Sequence, residues 1–211
     1  MTQQVLMNWA KITQRFVTPE GVPFLLALLG VLVLNIFVGL WEEIAFRVYL
    51  LPTLAQGWNA GGINSSTAVI LALLATSVPF GLAHLGNENA TPQAAVFIAA
   101  AGMMLGLGFI LTGRPALGIG LHIAGNIFQT LFGVTATTAT DAQFFKLEVM
   151  GPKLWTGGAY GTEAGLLGMV FIVISVVLLL GYVGLRYGSL SIHGELAQVS
   201  SHSTRLSTDK R

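Results

Sequence analysis

An apolar run that ends in three charged side chains most constrains this chain. Residues 22–40 carry no charge, and Glu42, Glu43 and Arg47 follow directly. A charged side chain near the centre of a bilayer costs about 2.5 to 3.5 kcal/mol on insertion scales, so it marks a functional site by default. If the run is helical, Glu43 and Arg47 lie on one face and can form an ion pair. Glu42 points about 100° away, so we expect Glu43 to be structural and Glu42 to be free for chemistry, although the opposite assignment stays open.

The composition is typical of a multi-pass membrane protein. Of the 211 residues, 54% are hydrophobic and 9% are charged, and the mean hydropathy is +0.74. The net charge of +1 gives no basic surface for nucleic acid. The absence of cysteine excludes disulfides, thiolate catalysis and thiolate metal sites. The sequence therefore predicts an all-α polytopic protein of the cell (plasma) membrane, with about five transmembrane helices around a polar intramembrane cavity.

The apolar windows set the expected helix limits. We expect the first helix to end by Leu51, because the residue before a proline disfavours helix and Pro52 follows. Residues 55–66 are then a polar, glycine-rich connection. In the third window, Gly102, Gly106 and Gly108 predict a close approach of another helix. The five predicted helices cover residues 23–51, 67–85, 92–111, 116–132 and 164–185.

The chain divides into three predicted parts. Residues 1–20 form an interfacial or flexible segment, with an amphipathic helix and a mobile tail as equal alternatives. Residues 21–187 form the transmembrane domain, whose motif core is 39–133, and they include a polar loop at 134–161 in which we expect a short interfacial helix around 142–150. Residues 188–211 form a polar tail that we expect to be disordered or loosely attached.

Two histidines lie inside apolar segments, each with a partner four residues away on the same helical face. Phe80 precedes His84 at this spacing, and Asn126 follows His122. A lone buried histidine is usually a hydrogen-bonded structural residue. Several buried polar groups together are satisfied most easily when they converge on one another and on water. The pattern therefore predicts that both histidines and Glu42 share a polar intramembrane site.

Peptide hydrolysis by activated water fits these residue types. Glu42 can be the base and His84 can orient the water, while His122 and Asn126 can offer two donors to the developing oxyanion. No serine or threonine in these stretches has a matched base, which argues against a covalent nucleophile. Because side chains alone can activate the water, we expect no cofactor.

Three other functions use the same residues. Glu42, His84 and His122 could be ligands of a catalytic zinc ion, although the single-helix His-Glu-x-x-His arrangement is absent. A non-catalytic membrane binding or immunity module could also use the polar cluster. A transporter with a proton-relay pair is disfavoured because no internal repeat is apparent.

Three motifs carry a family resemblance. In order, on successive apolar segments, they are Glu42-Glu43-x-x-x-Arg47, Phe80-x-x-x-His84 and His122-x-x-x-Asn126. This ordered set resembles the CAAX protease and bacteriocin-processing (CPBP, Abi) family of intramembrane endopeptidases, over roughly residues 23–133. The resemblance implies a water-mediated, glutamate-dependent endopeptidase that binds a peptide or membrane-protein substrate in the bilayer. It implies catalytic roles for Glu42, His84, His122 and Asn126, and supporting roles for Glu43, Arg47 and Phe80.

Overall fold

The computed structural model describes residues 8–134 and 142–199. Helices dominate it, and one small sheet lies beside them. The two strands are β1 (Ala10–Val17) and β2 (Gln143–Val149). The α-helices are α1 (Phe24–Glu43), α2 (Leu51–Ala60), α3 (Ser65–Ala83), α4 (Pro92–Thr112), α5 (Ala116–Leu131), α6 (Lys153–Thr156) and α7 (Leu166–Tyr187).

Four helical stretches of the described chain are long and apolar enough to cross a membrane. They are Phe24–Ala60, Ser65–Gly86, Pro92–Thr112 and Leu166–Tyr187, and the apolar helix Ala116–Leu131 is shorter. Helices of this length match the thickness of the hydrocarbon core because each residue adds about 1.5 Å. The prediction of a mostly helical, polytopic membrane protein is confirmed.

The first helix does not end at Pro52, so that prediction was wrong. A π-helical segment, Ile44–Leu50, links α1 directly to α2. Pro52 stands in the first turn of α2, where the missing N–H of a proline is tolerated. Single π turns inside α-helices occur frequently at functional sites. The expected connection at residues 55–66 is consequently shorter, because α2 occupies its first half.

Close contacts between α3 and α4 depend on small residues. A side chain at Gly81 would overlap the backbone carbonyl of Ala95, and one at Gly106 would overlap Leu73. At Gly102 it would come within 2.9 Å of the Arg47 guanidinium and of the Phe80 ring. The predicted close approach at the glycines of α4 is confirmed.

An apolar core lies where α2, α3, α4 and α7 meet. It is completed by a 3-10 turn at Gly194–Ala197. The backbone N–H of His193 donates to the carbonyl of Ile110 over 2.9 Å, and Ala197 is buried. The expectation of a disordered tail was therefore wrong for residues 188–199, which pack onto the helices. Residues 200–211 lie outside the described chain.

The N-terminal segment and the loop after α5 form a sheet. Strand β1 pairs with β2 in antiparallel register, from Ala10 opposite Val149 to Val17 opposite Gln143, with an irregularity between Ile12 and Gln14. The predictions of an amphipathic helix or a mobile tail at 1–20 and of a helix around 142–150 were thus wrong for the described residues. The hydrogen-bond partner of each strand lies more than a hundred residues away, so local periodicity could not reveal the pairing. Residues 1–7 and 135–141 lie outside the described chain.

Candidate functional site

A buried ion pair lies at the junction of α1 and the π-helical segment. Arg47 Nη1 donates to Glu43 Oε1 over 2.8 Å, and both residues are only 1% exposed. Arg47 Nη2 donates to the carbonyl of Gly102 over 2.9 Å, and the guanidinium lies 4.2 Å from the centroid of the Phe80 ring. The ion pair predicted from the four-residue spacing is confirmed. Arg47 therefore joins α1, through Glu43, to α4 through Gly102 and to α3 through Phe80.

His122 brings α5 to the same carboxylate. Its Nδ1 lies 3.0 Å from Glu43 Oε1. One turn earlier, Gly118 has no side chain, and a Cβ there would lie 2.8 Å from the carbonyl of Leu105. Since a carboxylate oxygen only accepts, Nδ1 carries the proton of this hydrogen bond. Glu43 is therefore held by Arg47 and by His122, in a position with almost no solvent exposure.

Glu42 has a different environment from its neighbour. Its side chain is 22% exposed, and Oε2 lies 3.6 Å from His122 Nε2, which is too long for a hydrogen bond. Oε2 itself is buried and has no hydrogen-bond partner among the described residues. An unsatisfied buried acceptor is unfavourable, so such a group commonly has a functional role or an ordered water. The two adjacent glutamates are thus unequal, as their helical spacing predicted.

Phe80 lies between the two predicted histidines. Its ring centroid is 5.0 Å from that of His84 and 6.0 Å from that of His122. His84 begins the 3-10 turn after α3, and its Nδ1 lies 2.8 Å from the Phe80 carbonyl oxygen. Because a carbonyl only accepts, Nδ1–H is the donor and Nε2 keeps a free lone pair in the neutral ring. The structure therefore brings both histidines to one aromatic ring.

Asn126 is the predicted site residue with the fewest contacts. It lies one turn after His122 on α5 and is half-buried. It makes no hydrogen bond to another described residue. Its amide is consequently available to a bound molecule, but no contact within the described chain joins it to the glutamates.

Tyr160 contacts this region although no sequence pattern pointed to it. It is 3% exposed and packs in one apolar cluster with Phe80. Asn87 Nδ2 donates to its hydroxyl over 3.1 Å. Burial, followed by the charges of Glu163 and Glu42, raises the pKa of Tyr160, while the bond from Asn87 opposes that rise. The one local signal was the glycine-rich stretch around it.

Comparison with known families identifies the helical core. Residues 24–128 match the family model described as type II CAAX prenyl endopeptidase Rce1-like. The chain belongs to this family. No curated protein and no solved structure matches the chain.

The Rce1-like region contains every residue that the three motifs singled out, whereas Tyr160 lies beyond its end. Membership in a family of CAAX endopeptidases, together with the apolar helices, indicates an integral membrane protein with protease activity toward a peptide or membrane-protein substrate. The ordered motifs therefore led to the correct family.

The sequence left a zinc site open as an alternative to water activated by side chains. Within residues 8–134 and 142–199, no three His, Cys, Asp or Glu side chains form a group that could hold a metal ion. His122 Nδ1 is engaged with Glu43, and His84 Nδ1 with a backbone carbonyl. Bonds of this kind are also typical of metal-ligating histidines and leave Nε2 of each ring for a metal, so the zinc set of Glu42, His84 and His122 stays a prediction.

Proposed function

We propose that this chain hydrolyses a peptide bond of a membrane-associated substrate, with Glu42 as the base that activates water. The observation that carries the proposal is the unpartnered, buried Oε2 of Glu42, one residue from a glutamate whose Oε1 is held by both Arg47 and His122. A general base must be within reach of a water and free to take its proton. Of the two glutamates, Glu42 meets that requirement.

In the first step, Glu42 accepts one proton from the water. His84 accepts a hydrogen bond from the second hydrogen of the water at Nε2, the ring nitrogen that is not engaged with Phe80. The oxygen lone pair then adds to the carbonyl carbon of the scissile bond, and the carbonyl electrons move to oxygen. Collapse of this tetrahedral intermediate breaks the C–N bond, and Glu42 returns its proton to the leaving amine. The first products are a carboxylic acid and an amine, and transfer of the remaining water proton from the acid to the amine gives a carboxylate and an ammonium group.

The developing oxyanion requires donors that are already in place. The bond from His122 Nδ1 to Glu43 fixes the imidazole ring, so that Nε2 is directed toward Glu42. Nε2 can donate to the oxyanion only in the doubly protonated ring, so we assign that form to the step in which the oxyanion develops. The unengaged amide of Asn126, one turn away, is the second donor that we assign.

The experiment is cleavage of peptides by purified protein in nanodiscs. Two substrates, a prenylated peptide ending in a CaaX sequence and the same peptide without the lipid, test whether the substrate must be lipidated. Wild type, Glu42→Gln and His84→Ala are compared, each with and without a chelator. We expect the wild type to cleave in chelator, Glu42→Gln to lose almost all activity and His84→Ala to lose most of it, because general-base catalysis contributes about 10²- to 10⁴-fold.

A matched control is Glu88→Gln, which changes an exposed glutamate and should cleave at the wild-type rate. Activity retained by Glu42→Gln would refute Glu42 as the base. Activity lost on chelation and restored by zinc would favour metal catalysis over water activated by Glu42 alone. A folded wild type that cleaves neither peptide would favour a binding module.

We further propose the plasma membrane as the location of the protein, and the apolar spanning helices support its insertion into a membrane. Membrane fractionation of cells that express the tagged chain tests this assignment. Recovery in another membrane fraction would contradict it.

A further inference from the structure

The turn that carries His84 is held by a residue outside the family-matched region. Tyr160 lies in the loop between α6 and the 3-10 turn Thr162–Ala164. It is buried in an apolar cluster with Phe80, Ala94 and Ala164. The Phe80 ring in turn contacts the rings of both site histidines. Tyr160 thus belongs to the same cluster as the ring that joins the two histidines.

Two hydrogen bonds in series connect the Tyr160 hydroxyl to the backbone of His84. Asn87 Nδ2 donates to the hydroxyl over 3.1 Å. The backbone N–H of Asn87 donates to the carbonyl of His84, also over 3.1 Å. Asn87 is therefore fixed at its side chain by Tyr160 while its main chain closes the turn of His84. A change at the hydroxyl is transmitted to the turn through one residue.

The loop around Tyr160 is itself fixed by glycines. Gly157 has φ +79° and Gly161 has φ +110°, conformations that favour glycine over residues with a side chain. A Cβ at Gly157 would overlap the carbonyl oxygen of Gly161. The backbone before the tyrosine therefore lies directly against the backbone after it. Gln93 Nε2 also donates to the carbonyl of Ala164 over 2.7 Å. These contacts hold Tyr160 at one place over the start of α4.

We propose that Tyr160 is a positioning residue of the proteolytic site. Its hydroxyl orients the His84 turn through Asn87, and its ring packs in the apolar cluster that contains Phe80. The inference rests on the proposed function, because His84 is the residue assigned there to orient water. Reactive groups must be held closely for catalysis, and a misplacement of about 1 Å can reduce a rate by about 100-fold.

The test begins with Tyr160→Phe, which removes the hydroxyl and keeps the ring. Loss of one hydrogen bond, worth about 1 kcal/mol, corresponds to a fall in kcat of about 5- to 10-fold. KM should not change, because the substrate does not contact the hydroxyl. The matched control is Tyr182→Phe, which removes a hydroxyl from a half-exposed residue on α7 and should leave kcat and KM unchanged.

Asn87→Ala and the double variant distinguish positioning from general stability. If the hydroxyl acts through Asn87, Asn87→Ala lowers kcat by the same factor and the double variant loses no more than either single variant. The connection would be refuted if the fall in kcat of the double variant equalled the product of the two single falls. A Tyr160→Phe enzyme with wild-type kcat would also refute it. Asn87 is exposed, so its variant tests the inference even if Tyr160→Phe does not fold.

Amide hydrogen exchange separates this inference from the proposed function. Faster exchange at residues 84–87 in Tyr160→Phe, with unchanged exchange in α7, is the expected result whether or not the peptides are cleaved. If the wild type cleaves neither peptide but exchange rises in this way, the proposed function fails and the positioning contact stands. Unchanged exchange at residues 84–87 would overturn the contact itself.

Discussion

The family-matched helices and the chain that follows them contribute to the site in different ways. Residues 24–128 supply the charged and polar side chains, and two of these pair within one stretch of helix. Residues 142–199 supply few polar groups to the site, but they meet distant parts of the chain: β2 pairs with β1, Tyr160 with Asn87 and His193 with Ile110. The chemistry is thus concentrated in the helices, whereas the later segments hold loops in place.

This difference predicts unequal sensitivity to substitution. The helical cluster holds buried charges, and a buried charge that loses its partner is strongly destabilising. The later segments rely on apolar packing and on neutral hydrogen bonds, and each such hydrogen bond has a small net value. Substitutions that disturb the matched helices should therefore have the larger effects.

The largest loss of stability is expected from Arg47→Ala, because it leaves Glu43 buried without its cation. Removing one partner of a buried ion pair costs about 3 to 5 kcal/mol, and here it also removes the bond to Gly102. Unfolding of the purified protein in mixed micelles by increasing denaturing detergent measures the change.

Arg114→Ala is the matched control, because Arg114 is exposed, and it should unfold as the wild type does. The double variant Glu43→Gln with Arg47→Met should be less destabilised than Arg47→Ala, since neither charge then remains buried. A loss of stability for Arg114→Ala as large as that for Arg47→Ala would show that burial of the ion pair does not explain the effect at Arg47.

A smaller loss is expected from Gly81→Ala, which tests packing rather than charge. The new methyl group would overlap the carbonyl of Ala95, and this atom belongs to helix backbone that cannot move alone. Overpacking of this kind costs about 1 to 3 kcal/mol. Gly30→Ala is the control, because no atom lies within 4 Å of its added methyl group. Helix propensity should stabilise that variant by about 0.5 to 1 kcal/mol, and the same change in stability for both variants would contradict the packing.

The helical part of the molecule was largely predictable from sequence. Apolar length indicated the spans, and four-residue spacing indicated that Glu43 pairs with Arg47 while Glu42 points elsewhere. Both depend on neighbours close in sequence, which is the range in which helical periodicity carries information. The same spacing linked His122 to Asn126, although only His122 contacts the glutamates in the structure.

The sheet and the Tyr160 loop were not predictable for the opposite reason. β1 obtains its hydrogen bonds from β2, far along the chain, and a two-stranded sheet leaves only a weak local pattern. Tyr160 is one aromatic residue among several, and its importance follows from Asn87 and Phe80, which lie on other elements. Pro52 misled in another way, because the π-helical segment before it was invisible to rules for α-helices.

In the later segments, alkaline pH provides a test of Tyr160 with a smaller expected effect. Burial, Glu163 and Glu42 raise its pKa above the usual 10.0, so the folded state favours the neutral hydroxyl. This contribution to stability is complete below pH 10 and is lost as the pH rises through the folded-state pKa. Above about pH 10 the Tm of the wild type should therefore fall more steeply than that of Tyr160→Phe. Parallel curves for the two proteins would show that Tyr160 titrates as it does in the unfolded chain.

The smallest effect is expected at the exposed pair of His193 and Glu195. A hydrogen bond from His193, followed by one from the backbone, lowers the pKa of Glu195 below 4.5. Its contribution is present above that value and disappears as the pH falls through the lowered pKa. Thermal scans from about pH 3 to 7 should show a slightly lower Tm for Glu195→Gln at neutral pH and no difference at the acid end. Glu88→Gln is the exposed control. A large fall in the Tm of Glu195→Gln would mean that the His193–Glu195 pair holds residues 188–199 in place. Since the backbone of His193 also bonds to Ile110, we expect the segment to stay docked when the carboxylate is neutral.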